Sequence, residues 1–102
     1  MNISGLKVDV EPIAEGLYGI ICDRGEESLV AFGMLPKWIM DMTERLVREK
    51  ILNIWAGQLG CTVKEAMPFC NEVKLKEKVQ AVMDQVATGI YGAAKSKGMM
   101  VV

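Results

Sequence analysis

Cys22, Cys61 and Cys70 are the best nucleophiles in this sequence, and no histidine exists anywhere in its 102 residues to take a proton from them. A serine or thiol nucleophile is weak until a neighbouring base activates it, and imidazole is the commonest such base. The serines are equally unassisted. No glycine-rich loop is followed by lysine and a hydroxyl residue, and no two carboxylates are recognisably paired for acid–base work. The acidic cluster Asp23, Glu26 and Glu27 has oxygen ligands for a divalent cation, but the composition is that of an ordinary exposed turn. A zinc site would need carboxylates or a second subunit to complete its ligand set. These residues predict a non-enzymatic protein with no catalytic residues, no metal site and no cofactor. An odd number of cysteines without a CxxC pair fits a reducing, cytoplasmic setting in which the thiols are buried.

The stretch GQLGCTVKEAM, residues 57–67, raises a different chemistry. LGCTVKEA after NIWAGQ resembles the turn of bacterial helix-turn-helix regulators, in which leucine and glycine close one helix and threonine caps the next. The resemblance covers about a dozen residues. It implies that Thr62, Lys64 and Asn71 contact nucleic acid. Affinity for a phosphate backbone rests on concentrated positive charge. The net charge is −1, with two basic and six acidic residues in 1–35 and six lysines against four acids in 62–102. No arginine follows Arg48. Nucleic-acid binding is therefore the alternative reading, and a connector between packed helices is the preferred one.

The elements that would position these residues are read from period and punctuation. Leu6, Val8 and Val10 alternate with Lys7 and Asp9, the two-residue period of a half-buried strand, closed by Pro12. LYGIICD, residues 17–23, is apolar and β-branched as a central strand is, and Gly25 offers the positive φ of a tight reversal into SLVAFGM, residues 28–34. Pro36 opens a long helix to about Gln58, Gly60 stops it, and Thr62 with Glu65 forms a capping box for a short helix that meets Pro68. From Glu72 to Ala94, apolar residues at Leu75, Val79, Val82, Val86, Gly89 and Ala93, with Met83 and Ile90 alongside, mark one helix about 35 Å long, against about 26 Å for a compact globule of this length. The expected architecture is α+β: a three-stranded antiparallel meander over 1–35, a helical layer of two long helices and one short over 36–97 and a tail over 98–102, in order βββααα, as one domain spanning 1–102. The tail, MMVV, is a candidate edge strand.

Two apolar helices exceed what so small a sheet can cover, and Trp38 and Trp55 stand too far apart on one helix to share a contact. A homodimer is expected, with Ile51, Trp55, Val82, Val86 and Ile90 carrying self-association. The eight methionines are read as gap filling, Met99 and Met100 excepted. The expected function is a small protein–protein interaction or adaptor protein acting as a homo-oligomer, with itself and another protein as partners. The helix-turn-helix-like regulator is the alternative, and a small-molecule sensor with an apolar pocket is the third reading. No apolar run is long enough for a membrane span, and the amino terminus lacks the pattern of a leader.

Overall fold

The last helix organises the chain because its apolar residues return every three or four positions over seven turns, which gives one stripe wide enough to receive several neighbours. A computed structural model describes residues 3–96. In order, a 3-10 turn at Ile3–Gly5 precedes α1 (Glu11–Asp23), α2 (Glu27–Ala31), α3 (Lys37–Leu59) and α4 (Val63–Ala66). A second 3-10 turn at Met67–Phe69 leads into α5 (Glu72–Ser96). Helices α1, α2, α3 and the first 3-10 turn all pack on α5. Leu75, Val79, Val82, Met83, Val86, Ile90 and Ala94 form its buried stripe. The molecule is elongated, 45 × 21 × 21 Å.

No strand occurs among the described residues, so the α+β architecture and its βββααα order are corrected to an all-helical bundle. The error lies in where the period was counted from. Counting from Leu17 makes LYGIICD look uniformly apolar; counting from Glu11 shows Ala14, Leu17, Tyr18 and Ile21 at i, i+3, i+4 and i+7, and these are the residues α1 buries. Pro12 stands in the first turn of that helix, where its missing N–H is no loss. Residues 28–34 became the short α2 and its exit, which leaves Leu6–Val10 with no strand to pair with. That segment runs irregularly, with Leu6 buried and Val8 and Val10 half-buried. Gly25 does take a positive φ of 72°, but it ends a helix. Gly33 and Gly60 end α2 and α3 in the same way, each followed by an N–H that reaches back to the last turn, Met34 to Leu29 and Cys61 to Ala56.

α5 runs antiparallel to α3. Its first residue, Glu72, pairs with Arg48 at 3.4 Å, and the Tyr91 hydroxyl donates to the Gly33 carbonyl, just before α3 begins, at 2.9 Å. Lys78 donates to the Ser4 carbonyl and so ties the amino-terminal turn to α5. At the α1–α2–α3 junction the Trp38 indole donates to Glu26 at 2.7 Å while Arg24 lies 4.0 Å over its ring, so one member of the acidic cluster is engaged within the fold. Burial pushes the Tyr18 phenol above its ordinary value, and the nearby Cys22 thiol and Glu27 carboxylate push the same way. Cys22 itself is exposed, contrary to the expectation of three buried thiols; Cys61 and Cys70 are half-buried.

α1 and α5 approach each other closely at Gly89. A Cβ added to Gly89 would stand 2.8 Å from the Ala14 Cβ, whereas one added to Gly19, midway along α1, would meet nothing. Helix propensity favours alanine over glycine by about 1 kcal/mol, and forcing a methyl into a packed contact costs about 1–3 kcal/mol. Gly19→Ala is therefore expected to stabilise the chain by about 0.5–1 kcal/mol, and Gly89→Ala to destabilise it by up to about 2 kcal/mol net of propensity. In a double-mutant cycle by denaturant unfolding, Ala14→Gly recovers part of the Gly89→Ala loss; strict additivity of the two changes would contradict the contact.

Candidate docking site

α3 runs roughly three turns beyond Arg48, past the point where α5 begins. That end would lie bare if the chain went straight into α5. Gly60, with φ 74°, stops α3 and turns the backbone, and Thr62 starts α4 at once. The Thr62 hydroxyl accepts from the Glu65 N–H at 3.2 Å, and the Glu65 carboxylate accepts from the Thr62 N–H at 3.0 Å and from its hydroxyl at 2.9 Å. This is the capping box expected from Thr62 and Glu65. Pro68 allows α4 only one turn before the 3-10 turn, and Asn71 begins α5, its Oδ1 accepting from the N–H groups of Val73 and Lys74. α4 packs against α3 and presses Ala66 inward.

What remains at this corner is a cup of about 570 Å³, lined by Trp55, Leu59, Cys61, Glu65, Ala66 and Phe69. Trp55 and Ala66 are buried and form its floor. Leu59, one turn beyond Trp55, is 43% exposed at the rim, and Phe69 is 80% exposed. Glu65 is the ionisable carboxylate of the lining, but it is folded back on the start of α4, and its hydrogen bonds to Thr62 hold its pKa below the ordinary carboxylate value. The cup thus offers a partner apolar walls with a polar edge already satisfied. Among the described residues no group of three or more cysteine, aspartate or glutamate side chains is placed to hold a metal, and the Cys70 thiol is pushed up by burial and by Glu72 against the opposing pull of Arg48.

Of the residues singled out for self-association, Trp55 lies on the floor of this cup, and Ile51, Val82, Val86 and Ile90 lie elsewhere. Ile51, Trp55, Val82, Val86 and Ile90 are all buried by their own chain. The apolar surface that assigned Ile51, Val82, Val86 and Ile90 to a dimer contact is covered within the chain, by α1, α2, α3 and the first 3-10 turn on α5 and by α4 on α3. Of the three nucleic-acid candidates, Thr62 and Asn71 are engaged as helix caps, and Lys64 is exposed on a helix of four residues. Reading bases calls for side chains projecting from a helix that lies in the groove, and one turn supplies little of that. Phe69 and Leu59 were missed. Phe69 sits directly after Pro68, two residues past the stretch that drew attention, and an aromatic beside a proline in a polar connector is a signal that could have found it. Met99, Met100 and the 98–102 tail lie outside the described residues.

The lowered pKa of Glu65 fixes the sign of a pH effect. A carboxylate whose folded pKa is depressed contributes its stability above the unfolded value and loses it as pH falls through the folded one. On acidification through and below the ordinary carboxylate range, the wild-type chain is expected to lose more melting temperature than Glu65→Gln does, with the difference between them shrinking towards zero; a constant difference would contradict the capping role. No helix of the described residues is long and apolar enough to cross a membrane. No protein-family model matches the chain, and no curated protein and no solved structure is significantly similar to it.

Proposed function

We propose that this chain is a small non-enzymatic interaction protein that pairs with a second copy of itself through the α3–α4 corner and presents its other end to a different protein. The observation that carries the reading is Phe69, 80% exposed on the rim of a cup it helps to line. A two-fold contact uses the same patch on both subunits, so that patch must hold both a knob and a hole. Phe69 is the knob, and the space over Trp55, beside Leu59, is the hole.

Magnitudes make the association weak. Two phenyl rings seated reciprocally hide about 300–500 Å². At about 25 cal/mol per Å² that is about 8–12 kcal/mol, of the same order as the 4–15 kcal/mol lost in translational and rotational freedom. A reversible, concentration-dependent dimer follows. Phe32 and Met34, exposed before the start of α3, stand at the opposite end of that helix and outside the contact. Dimerisation presents them twice, which is what an adaptor with two equivalent arms requires. The three free thiols suit a reducing compartment, and we place the protein in the cytoplasm on that ground.

Sedimentation velocity over a range of concentrations tests the pairing. The wild-type chain and Phe32→Glu are expected to dimerise reversibly, and Phe69→Glu to stay monomeric with an unchanged helical circular dichroism spectrum. A wild-type chain that is monomeric at every concentration, or a dimer indifferent to Phe69→Glu, would overturn the proposal.

A further inference from the structure

A second apolar depression lies between α1 and α3, away from the cup. Its volume is about 320 Å³. α1 contributes Ile13, Gly16, Leu17 and Ile20, and α3 contributes Leu46 and Lys50. Leu17 is buried and forms the floor, Ile13 and Ile20 are half-buried, and Leu46 is exposed at the opposite lip. On α1 the groove residues follow one another by a turn, with Gly16 between Ile13 and Ile20 in the place where another side chain would fill the space. Nothing within 4 Å would obstruct a Cβ there, so the helix gains no internal packing from this glycine. Its effect is to leave the groove open along its length.

Lys50 is the charged residue of the lining. It stands one turn beyond Leu46 and has no ion-pair partner among the described residues. A lysine stem lies readily along an apolar wall while its ammonium stays at the mouth. The groove therefore has an apolar bed and one unmatched positive end. From Ile13 to Ile20 the groove follows α1 for two turns, about 10 Å, the reach of an extended chain of roughly eight to ten carbons.

We propose that this groove binds an aliphatic chain of about ten carbons ending in a carboxylate, the chain lying over Leu17 between Ile13 and Ile20 and the carboxylate meeting the Lys50 ammonium. Open pockets bind such ligands through apolar contact and take their orientation from the few polar groups present. Here that polar group is Lys50. Gly16 sets the bore, and the ligand class follows from the two together. The site is independent of the pairing through Phe69.

Decanoate, below its micelle-forming concentration, is the probe, with decyltrimethylammonium as its charge-reversed counterpart. Titration of the wild-type chain followed by nuclear magnetic resonance is expected to show saturable shifts at Ile13, Gly16, Ile20 and Leu46 with decanoate and at least tenfold weaker binding of the cation. Lys50→Glu is expected to weaken decanoate at least tenfold, and Gly16→Leu, which adds a good helix former at an open position, to abolish its binding. Phe69→Glu is expected to leave it unchanged. Absence of saturable decanoate shifts in the wild-type chain, equal binding of the cation, survival of binding in Gly16→Leu, or its loss in Phe69→Glu would each overturn the assignment.

Discussion

The bundle depends on the close approach of α1 to α5 where Gly89 faces Ala14. Because neither residue carries more than a methyl group, the two helices meet nearly backbone to backbone, and the larger side chains on either side of the crossing, Leu17 and Ile21 on α1 and Val86 and Ile90 on α5, are left fully enclosed. α5 then serves as a common floor. With α1 on one flank and α3 on the other, a stripe that looked too long for a single chain to cover is buried through Ala94. Dispersion and hydrophobic burial both fall steeply once atoms separate, so a wider crossing would open voids along the whole stripe.

Both candidate sites are consequences of that arrangement. α3 and α5 run antiparallel but out of step, and the end of α3 that α5 does not reach is covered by one helical turn and a 3-10 turn. So small a cover seals Trp55 and leaves Leu59 and Phe69 outside. On the other side, α1 is held to α5 more closely than to α3, and the space left between α1 and α3 is the groove over Leu17. One site is apolar with its carboxylate tied into a cap; the other is apolar with an unmatched lysine. That difference in charge is the ground on which we propose a protein contact for the first and an amphipathic anion for the second.

The local parts of the fold were legible in the sequence. Thr62 and Glu65 form a capping box because the motif needs only four adjacent residues, Gly60 ends α3 because its requirement is a single dihedral, and α5 declared itself through seven turns of unbroken period. The first third was misread because β-branched Ile20 and Ile21, preceded by Gly19, look like strand at short range, whereas the helical period of Ala14, Leu17, Tyr18 and Ile21 appears only over eight residues. The self-association residues are a different case. Periodicity shows that Ile51, Val82, Val86 and Ile90 are buried and says nothing of whether the covering atoms belong to the same chain. Phe69 was hidden for the converse reason, since exposure of an aromatic in a connector is decided by what packs around it. The groove between α1 and α3 was not legible, because its residues come from two helices far apart in the sequence.

The central claim is that this chain encloses its long apolar helix by itself and keeps only the α3–α4 corner for its twin. An isotope-filtered nuclear Overhauser spectrum on a mixture of labelled and unlabelled chains, at a concentration where pairs form, tests it most directly. Cross-peaks between chains are expected at Phe69 and Leu59, with contacts of Ala14 to Gly89 and of Ile51, Val82, Val86 and Ile90 found only within one chain. Inter-chain cross-peaks at those core residues, with none at Phe69, would contradict it.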